Sequence, residues 1–188
     1  MRDSSFSISK YYQQIRSNGE KLQWCRSVWN RYSQPKHRFI QWLAMQDRLK
    51  TKARLKMMQI SIDDTCVVCG SMTESVEHLM FDCHFSKHCM NKLMNWLKVP
   101  WRGRNMNLLC SWVTTRYKST RVQRQVILAT IAAAIHSIWK NRNQAYWDHT
   151  VNMIDQVVQQ VKYSVKHRCL QVLGNKVNDR DRQWVENL

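Results

Sequence analysis

Glycine, proline and acidic residues are scarce in this sequence. Its 188 residues include 4 glycines, 2 prolines and 13 Asp and Glu. So few turn-forming residues exclude a fold built from many short strands, because each hairpin needs its own turn. Since the apolar residues also recur every three or four positions, the sequence predicts a mainly α fold with little or no β structure.

Long apolar runs are missing as well. The longest, Val126–Ile138, is interrupted by Thr130 and His136 and is shorter than the roughly 20 residues of a membrane-spanning helix. The first ten residues lack the apolar stretch of a secretory signal. We therefore expect no membrane span and an intracellular protein, with nucleus or cytoplasm favoured and an organelle left open.

Positive charge, in contrast, is in large excess, with 30 Lys and Arg and a formal net charge of +17. Residues 1–62 hold 13 basic and 3 acidic residues, residues 63–99 hold 3 and 5, and residues 100–188 hold 14 and 5. Such a field attracts polyanions, above all nucleic acid. RNA or single-stranded DNA is the expected partner, a protein partner is the alternative, and the oligomeric state is left open.

The seven cysteines do not form the pattern of a disulfide framework. Their number is odd, and four of them lie within Cys66–Cys89. The pattern favours a metal site in a reducing compartment. Cys66, Cys69, His78 and Cys83 read C-x2-C-x8-H-x4-C, with two cysteines that can reach one ion from a single tight turn.

These four residues predict one structural Zn²⁺ in a CCHC zinc knuckle. Gly70 directly after Cys69 permits the backbone angles that such a turn requires. Four protein ligands leave no position for a catalytic water. The identity of the histidine ligand stays open at this point, because His84 and His88 are near and a set of Cys66, Cys69, Cys83 and His88 also has acceptable spacing.

Four segments follow from charge and apolar spacing. They are a basic helical arm (1–62), the zinc knuckle with the helix after it (63–99), a C-terminal helical region (100–174) and a mobile tail (175–188). Helical spacing or a capping residue marks each predicted helix. The predicted helices lie around Tyr11–Ile15, over Trp24–Tyr32, from Pro35, from Thr51 to Met58, from a Ser86 cap to Pro100, over about Arg121–Trp147 and over Val151–Val172.

A basic stretch with interleaved aromatic residues precedes the knuckle. Cations neutralise phosphates, and aromatic faces stack on unpaired bases. We expect Phe39 and Trp42 mostly to pack and the cations mostly to bind. The predicted nucleic-acid-binding residues are Lys36, Arg38, Arg48, Lys50, Lys52, Arg54 and Lys56.

No pattern of catalytic residues stands out. The sequence has no glycine-rich phosphate loop, no G-x-S-x-G motif and no H-E-x-x-H motif. The adjacent Asp63 and Asp64 are better explained as part of the turn before the knuckle than as a Mg²⁺ site. We therefore predict that the protein is not an enzyme.

One order of residues along the chain is familiar. It consists of Trp24, Trp29, Pro35, Lys36, Phe39, Trp42, Leu43, Arg48, Leu49, Thr51, Lys52, Arg54, Leu55, the C-x2-C pair, Glu77, His78, Leu79, Phe81, Cys83 and the downstream Ile138–Asn143. This order resembles the zinc-binding region that follows the polymerase in plant LINE-type (non-LTR) retrotransposon reverse transcriptases. The resemblance spans about residues 6–172, and its metal core is specific.

The resemblance implies a non-catalytic accessory segment that helps to hold element RNA or target DNA during target-primed reverse transcription. The chain contains no polymerase carboxylates and no nuclease module, and it lacks the tryptophan that the family often has after the last ligand. It is expected to be either a fragment or a retroelement piece that now serves the host. The competing hypothesis is a domesticated adaptor that binds a protein partner or belongs to a larger assembly.

Overall fold

The structure is a computed structural model that describes residues 24–100, 105–174 and 177–188. The helix predicted around Tyr11–Ile15 lies outside these residues. The helical elements of the described residues are, in chain order, α1 (Cys25–Val28), α2 (Pro35–Met45), α3 (Lys52–Met57), a π-helical turn (His78–Asp82), α4 (His84–Trp96), α5 (Met106–Thr115), α6 (Arg121–Trp147), α7 (Ile154–Val172) and α8 (Asp179–Glu186).

The predicted mainly α class is confirmed. The described residues contain no strand, and β-type pairing among them is limited to an isolated bridge between Thr65 and Thr73. Helices predicted at Pro35, after Thr51 and over Arg121–Trp147 begin where the sequence placed them.

Helix α6 lies at the centre of the fold. It begins with a capping box, in which Thr120 Oγ1 accepts from Gln123 N at 3.1 Å and the Gln123 side chain accepts from Thr120 N at 3.2 Å. Every residue from Val126 to Ile135 is buried. This stretch of the helix is buried on all sides because α2, α5 and α7 all pack against it.

Helix α7 packs its valines against α6 and α4. Val157, Val158, Val161 and Val165 are buried, as the three-four spacing predicted. The helix begins at Ile154 rather than at Val151, which is exposed. Among the described residues, no helix combines the length and the apolar character that crossing a membrane would require.

Residues 177–188, predicted as part of a mobile tail, contain helix α8 in the structure. Asn178 caps α8 by accepting from Asp181 N, and Val185 is fully buried. Two long-range bonds attach this segment: Thr120 Oγ1 donates to Asp181 Oδ1 at 2.7 Å, and Trp96 Nε1 donates to the Leu188 carbonyl at 3.1 Å. The polar composition of the segment gave no sign of this helix, because a few buried contacts are enough to hold a short helix on an existing core.

Two further helix boundaries differ from the prediction, and one helix was not predicted. Helix α4 starts at His84, and Ser86 is no cap but donates from within the helix to the Leu79 carbonyl. The helix predicted over Trp24–Tyr32 is reduced in the structure to the single turn of α1, and Trp29 is 58% exposed. Helix α5 was not predicted from the sequence.

His37 of α2 lies against His136 of α6, with ring centroids 4.8 Å apart. His37 is 4% exposed, and burial, together with the charges of His136 and Lys36, lowers its pKa to about 3. Since the unfolded chain binds this proton below about pH 6.5 and the folded chain does not, stability must fall as the pH falls from about 6.5 towards 3.

Between pH 7 and pH 5, protonation of His37 in the unfolded chain should lower the free energy of unfolding by about 2 kcal/mol. We expect His37→Phe to abolish this part of the pH dependence. Phenylalanine keeps a ring against His136 but cannot titrate. Urea unfolding of both proteins at both pH values measures the effect, and the zinc ligands are common to both. An unchanged pH dependence in His37→Phe would contradict the assignment.

Candidate metal centre

The Cys66–Cys69 pair lies in a tight turn that Gly70 closes. Gly70 has a φ of 68° and donates from its N–H to the Cys66 carbonyl at 2.8 Å, a left-handed conformation that favours glycine. Cys66 N donates to the Met72 carbonyl at 2.7 Å, next to the Thr65–Thr73 bridge. Both thiols are thereby directed to one point, as the C-x2-C spacing predicted.

The other two candidate ligands lie at the ends of a π-helical turn. Cys83 N donates to the His78 carbonyl at 2.7 Å, which is the i to i+5 bond of this rare helix type. In an α-helix, residues five apart point in different directions; the wider turn brings His78 and Cys83 to one side. Val76, Leu79, Met80 and Phe81 are buried around the turn.

The structure brings Cys66, Cys69, His78 and Cys83 together, with their ligand atoms all within 4.8 Å of one another. The Cys69 Sγ to His78 Nε2 distance is 3.3 Å. These spacings fit a tetrahedron with Zn–S bonds of about 2.3 Å, whose edges are about 3.8 Å. The four residues present are therefore a suitable donor set for a structural Zn²⁺.

The two buried thiols of this centre are coupled to each other. A hydrogen bond with Cys83 and burial raise the pKa of Cys66, whereas the same bond lowers the pKa of Cys83. Zn²⁺ binds thiolates, so binding of the ion would release the protons that these thiols carry.

The alternative ligand set with His88 does not form. His88 is exposed and its Nδ1 lies 2.9 Å from the His84 carbonyl one turn earlier in α4. Cys89 is fully buried in the core, and burial raises the pKa of its thiol to about 12. His78 is therefore the histidine that the structure places at the metal centre.

Glu74 connects the knuckle to the rest of the protein, and sequence reasoning missed it. Its side chain is fully buried, and Oε2 accepts from Val67 N, inside the C-x2-C turn, at 3.2 Å. Oε1 accepts from Lys52 N, the first residue of α3, at 2.8 Å. The same oxygen accepts from Arg142 Nε of α6 at 2.9 Å, with Arg142 Nη2 at 2.7 Å.

Arg142 is held in turn by aromatic side chains. Its guanidinium carbon lies 5.2 Å from the ring centroid of Trp139 and 4.7 Å from that of Tyr146, both within cation–π range. Nη1 donates to Asn143 Oδ1 at 3.2 Å. The Ile138–Asn143 motif noted in the sequence thus supplies the partner of Glu74, although nothing in the sequence links positions 68 residues apart.

The predicted nucleic-acid-binding cations do not all have the same surroundings. Lys52 forms an ion pair with Asp63, and Lys56 Nζ lies 3.1 Å from Asp64 Oδ2. Arg54 Nη1 donates to the Asp47 carbonyl at 2.7 Å. Three others, Lys36, Arg48 and Lys50, are exposed and make no ion pair within the described part of the chain, and Arg38 is half-buried.

Two further predictions about this stretch have different outcomes. Asp63 forms the turn before the knuckle as expected, with Oδ1 accepting from Thr65 N at 2.8 Å. Phe39, which was expected to pack, is 54% exposed, whereas Trp42 beside it is half-buried. Their ring centroids are 6.0 Å apart. Phe39 is exposed because α2 packs against α6 through one face only, and Phe39 lies on another face.

Comparison with known proteins yields one match. Residues 6–89 match a family model described as zinc-binding in reverse transcriptase. The matched segment contains all four candidate ligands and the whole predicted cation stretch. No curated protein and no solved structure matches the chain. The match and the geometry of the four ligand atoms together indicate one structural zinc.

We expect the purified protein to contain one equivalent of zinc and Cys69→Ser to lose it. Structural zinc in small sites is worth on the order of 10–16 kcal/mol of apparent binding free energy, so loss of one thiolate is severe. Elemental analysis measures the content. The single variants Cys25→Ser, Cys110→Ser and Cys169→Ser should keep the metal, as should His88→Ala, whereas His78→Ala should not. Zinc retained in Cys69→Ser would refute the site.

We expect Arg142→Met to destabilise the protein by about 3–5 kcal/mol, because Glu74 would keep an unpaired buried charge. The double variant with Glu74→Gln should recover part of this lost stability. The glutamine side chain is uncharged, and its amide oxygen still accepts a hydrogen bond from one backbone N–H. Chemical unfolding in excess zinc gives both values. The matched control is Lys92→Met, which removes the exposed pair with Asp155 and should cost under about 1 kcal/mol. Equal effects of Arg142→Met and Lys92→Met would argue against the role of Glu74.

Proposed function

We propose that this chain is a non-catalytic nucleic-acid-binding protein in which a structural zinc positions a basic helix, with RNA favoured over single-stranded DNA. We further propose that it derives from the C-terminal segment of a LINE-type reverse transcriptase. The match of residues 6–89 to a zinc-binding region of reverse transcriptase and the net charge of +17 support both statements. The free thiols at all seven cysteines suit a reducing compartment, nucleus or cytoplasm.

One observation carries this proposal: the metal loop holds α3 directly. Lys52 N donates to Glu74 Oε1 at 2.8 Å, and Ala53 N donates to the Glu74 carbonyl at 3.3 Å. Both donors belong to the first turn of α3. Since Glu74 also binds the backbone between Cys66 and Cys69, the position of the basic helix depends on the loop that zinc closes.

Unpaired cations would make most of the phosphate contacts. Lys36, Arg48 and Lys50 are exposed and free of carboxylate partners among the described residues. A paired lysine such as Lys52 or Lys56 already has its counter-charge and releases fewer counterions on binding. The proposed surface therefore consists of Arg48 and Lys50 on the approach to α3, with Lys36 in the first turn of α2, rather than all seven predicted residues.

The absence of catalysis is part of the proposal. A zinc ion with four protein ligands has no position for an activated water. The adjacent carboxylates Asp63 and Asp64 bind Lys52 and Lys56, an arrangement that competes with binding of Mg²⁺. The four ligands support a structural role for the zinc, and the two ion pairs support a turn rather than a Mg²⁺ site at Asp63 and Asp64.

A protein adaptor is the second candidate, and one surface favours it. The valines of α7 face the core and leave no apolar stripe there. The segment after α3 is different, since Met57, Met58, Ile60 and Ile62 are exposed by 74%, 45%, 64% and 96%. Contiguous exposed apolar side chains beside cations are typical of a contact surface.

We expect a variant with Lys36→Gln, Arg48→Gln and Lys50→Gln to bind a short single-stranded RNA more weakly, with the slope of log affinity against log salt flattened by about two. Fluorescence anisotropy over a salt series measures affinity and slope together. Parallel titrations with single-stranded DNA of the same sequence give the preference between the two.

The matched control replaces three paired lysines, Lys56, Lys87 and Lys92, with Gln, which removes the same charge. Their partners are Asp64, Asp82 and Asp155. This control should change the slope by clearly less. Equal slopes for the two variants would show that only net charge matters, and failure of the parent protein to bind any oligonucleotide would favour the adaptor.

A further inference from the structure

We infer that Arg31, Arg168 and Arg182 form a second phosphate-binding site, for the backbone of the same nucleic acid, at the end of the protein opposite the zinc. This inference rests on the proposed function and adds a contact surface that the sequence did not indicate. The three arginines come from the loop after α1, from α7 and from α8, and they meet at the C-terminal end of α7.

Hydrogen bonds to backbone carbonyls bring the three arginines together. Arg31 Nη2 donates to the Val172 carbonyl, and a Cβ added to Gly174 would lie 3.8 Å from the same nitrogen. Arg182 Nη2 donates to the Gly174 carbonyl at 3.3 Å. Arg168 Nη2 donates to the Arg31 carbonyl at 3.2 Å. Arg31 and Arg182 thus bind carbonyls two residues apart at the end of α7, and Arg168 binds the backbone of Arg31.

A fourth arginine lies close to this cluster. The guanidinium carbon of Arg31 is 5.4 Å from the ring centroid of Tyr32. Burial raises the pKa of Tyr32, and the charges of Arg31 and Arg121 act against that shift, which places Arg121 within electrostatic range of the same ring. Arg121 is the first residue of α6 and is exposed.

Carboxylates lie near the cluster but form no ion pair with its arginines. Among residues 24–100, 105–174 and 177–188, none of the three arginines forms an ion pair. Asp181, the nearby buried acid, accepts from Thr120 Oγ1 and Asn178 Nδ2 instead. Asp179 is exposed in the first turn of α8. Grouped like charges repel one another, and an anion bound between them removes that cost.

Most of the donors in this cluster are still available. A guanidinium has five N–H donors, and each of these three arginines uses one of them on a backbone carbonyl. Arg168 Nε is buried without a hydrogen-bond partner. Planar groups with free N–H donors bind phosphate oxygens in pairs, which makes a phosphodiester the fitting ligand.

A purely structural role explains only part of this arrangement. Cations at the C-terminal end of a helix stabilise its last carbonyls, and one arginine is enough for that. Three arginines from three segments exceed that need. The two roles also predict different behaviour. If the arginines only cap the helix, they contribute equally to stability with and without an anion, whereas an anion site also contributes to binding.

The new site is distant from the zinc. Arg121 begins α6, and Arg142, the partner of Glu74, lies 21 residues later in the same helix. At a rise of 1.5 Å per residue these positions are about 30 Å apart. A single strand that contacts both this cluster and the cations next to α3, Arg48 and Lys50, must therefore span the length of α6, and a short oligonucleotide cannot.

The test replaces Arg31, Arg168 and Arg182 with Gln and measures binding to single-stranded RNA of about 20 nucleotides over a salt series. We expect the slope of log affinity against log salt to flatten by about two relative to the parent. With RNA of about six nucleotides, the loss of affinity relative to the parent should be much smaller, since one short strand cannot reach both sites. The variant of paired lysines, Lys56, Lys87 and Lys92 to Gln, is the control for net charge.

Each outcome decides the matter. If the parent binds RNA with a steep salt slope and the triple variant keeps that slope, the second site is refuted and the proposed function still stands. A parent that binds no RNA would overturn both. If the triple variant does not fold, Arg31→Gln alone changes an exposed side chain and should flatten the slope by about 0.7. An unchanged slope in that single variant would also refute the site.

Discussion

The buried carboxylate of Glu74 joins three parts of the protein that are distant in sequence. It binds the backbone of the C-x2-C turn, the first residue of α3 and the guanidinium of Arg142 in the central helix. Desolvation of two charges costs several kcal/mol, and only a partner with full hydrogen bonding offsets it. The contact is therefore sensitive to position, and a displaced knuckle would leave Arg142 unpaired between Trp139 and Tyr146.

Zinc and the ion pair stabilise the same loop in different ways. The metal closes residues 66–83 on themselves through the tight turn at Gly70 and the π-helical turn before Cys83. The ion pair then fixes that closed loop on α6. A loop of this size has too few apolar residues to fold alone, so both constraints are needed before α3 has a defined place.

Charge is arranged around this frame in two regions. Near the zinc, acidic residues such as Asp63 and Asp64 neutralise part of the basic stretch, which leaves a small set of unpaired cations. At the other end of α6, arginines from separate segments meet at the end of α7 with no carboxylate partner among the described residues. The net charge of +17 is thus less informative than where the unpaired cations lie.

The sequence by itself determined the features that depend on neighbouring residues. Ligand spacing predicted the four-residue metal centre, Gly70 its turn, and helical periodicity the central helix Arg121–Trp147, because these depend on local backbone geometry. Only the tertiary structure decided what depends on distant pairs. The link from Glu74 to Arg142, the attachment of α8 and the arginine cluster all join residues whose separation carries no periodic signal, since they meet only after the helices have packed.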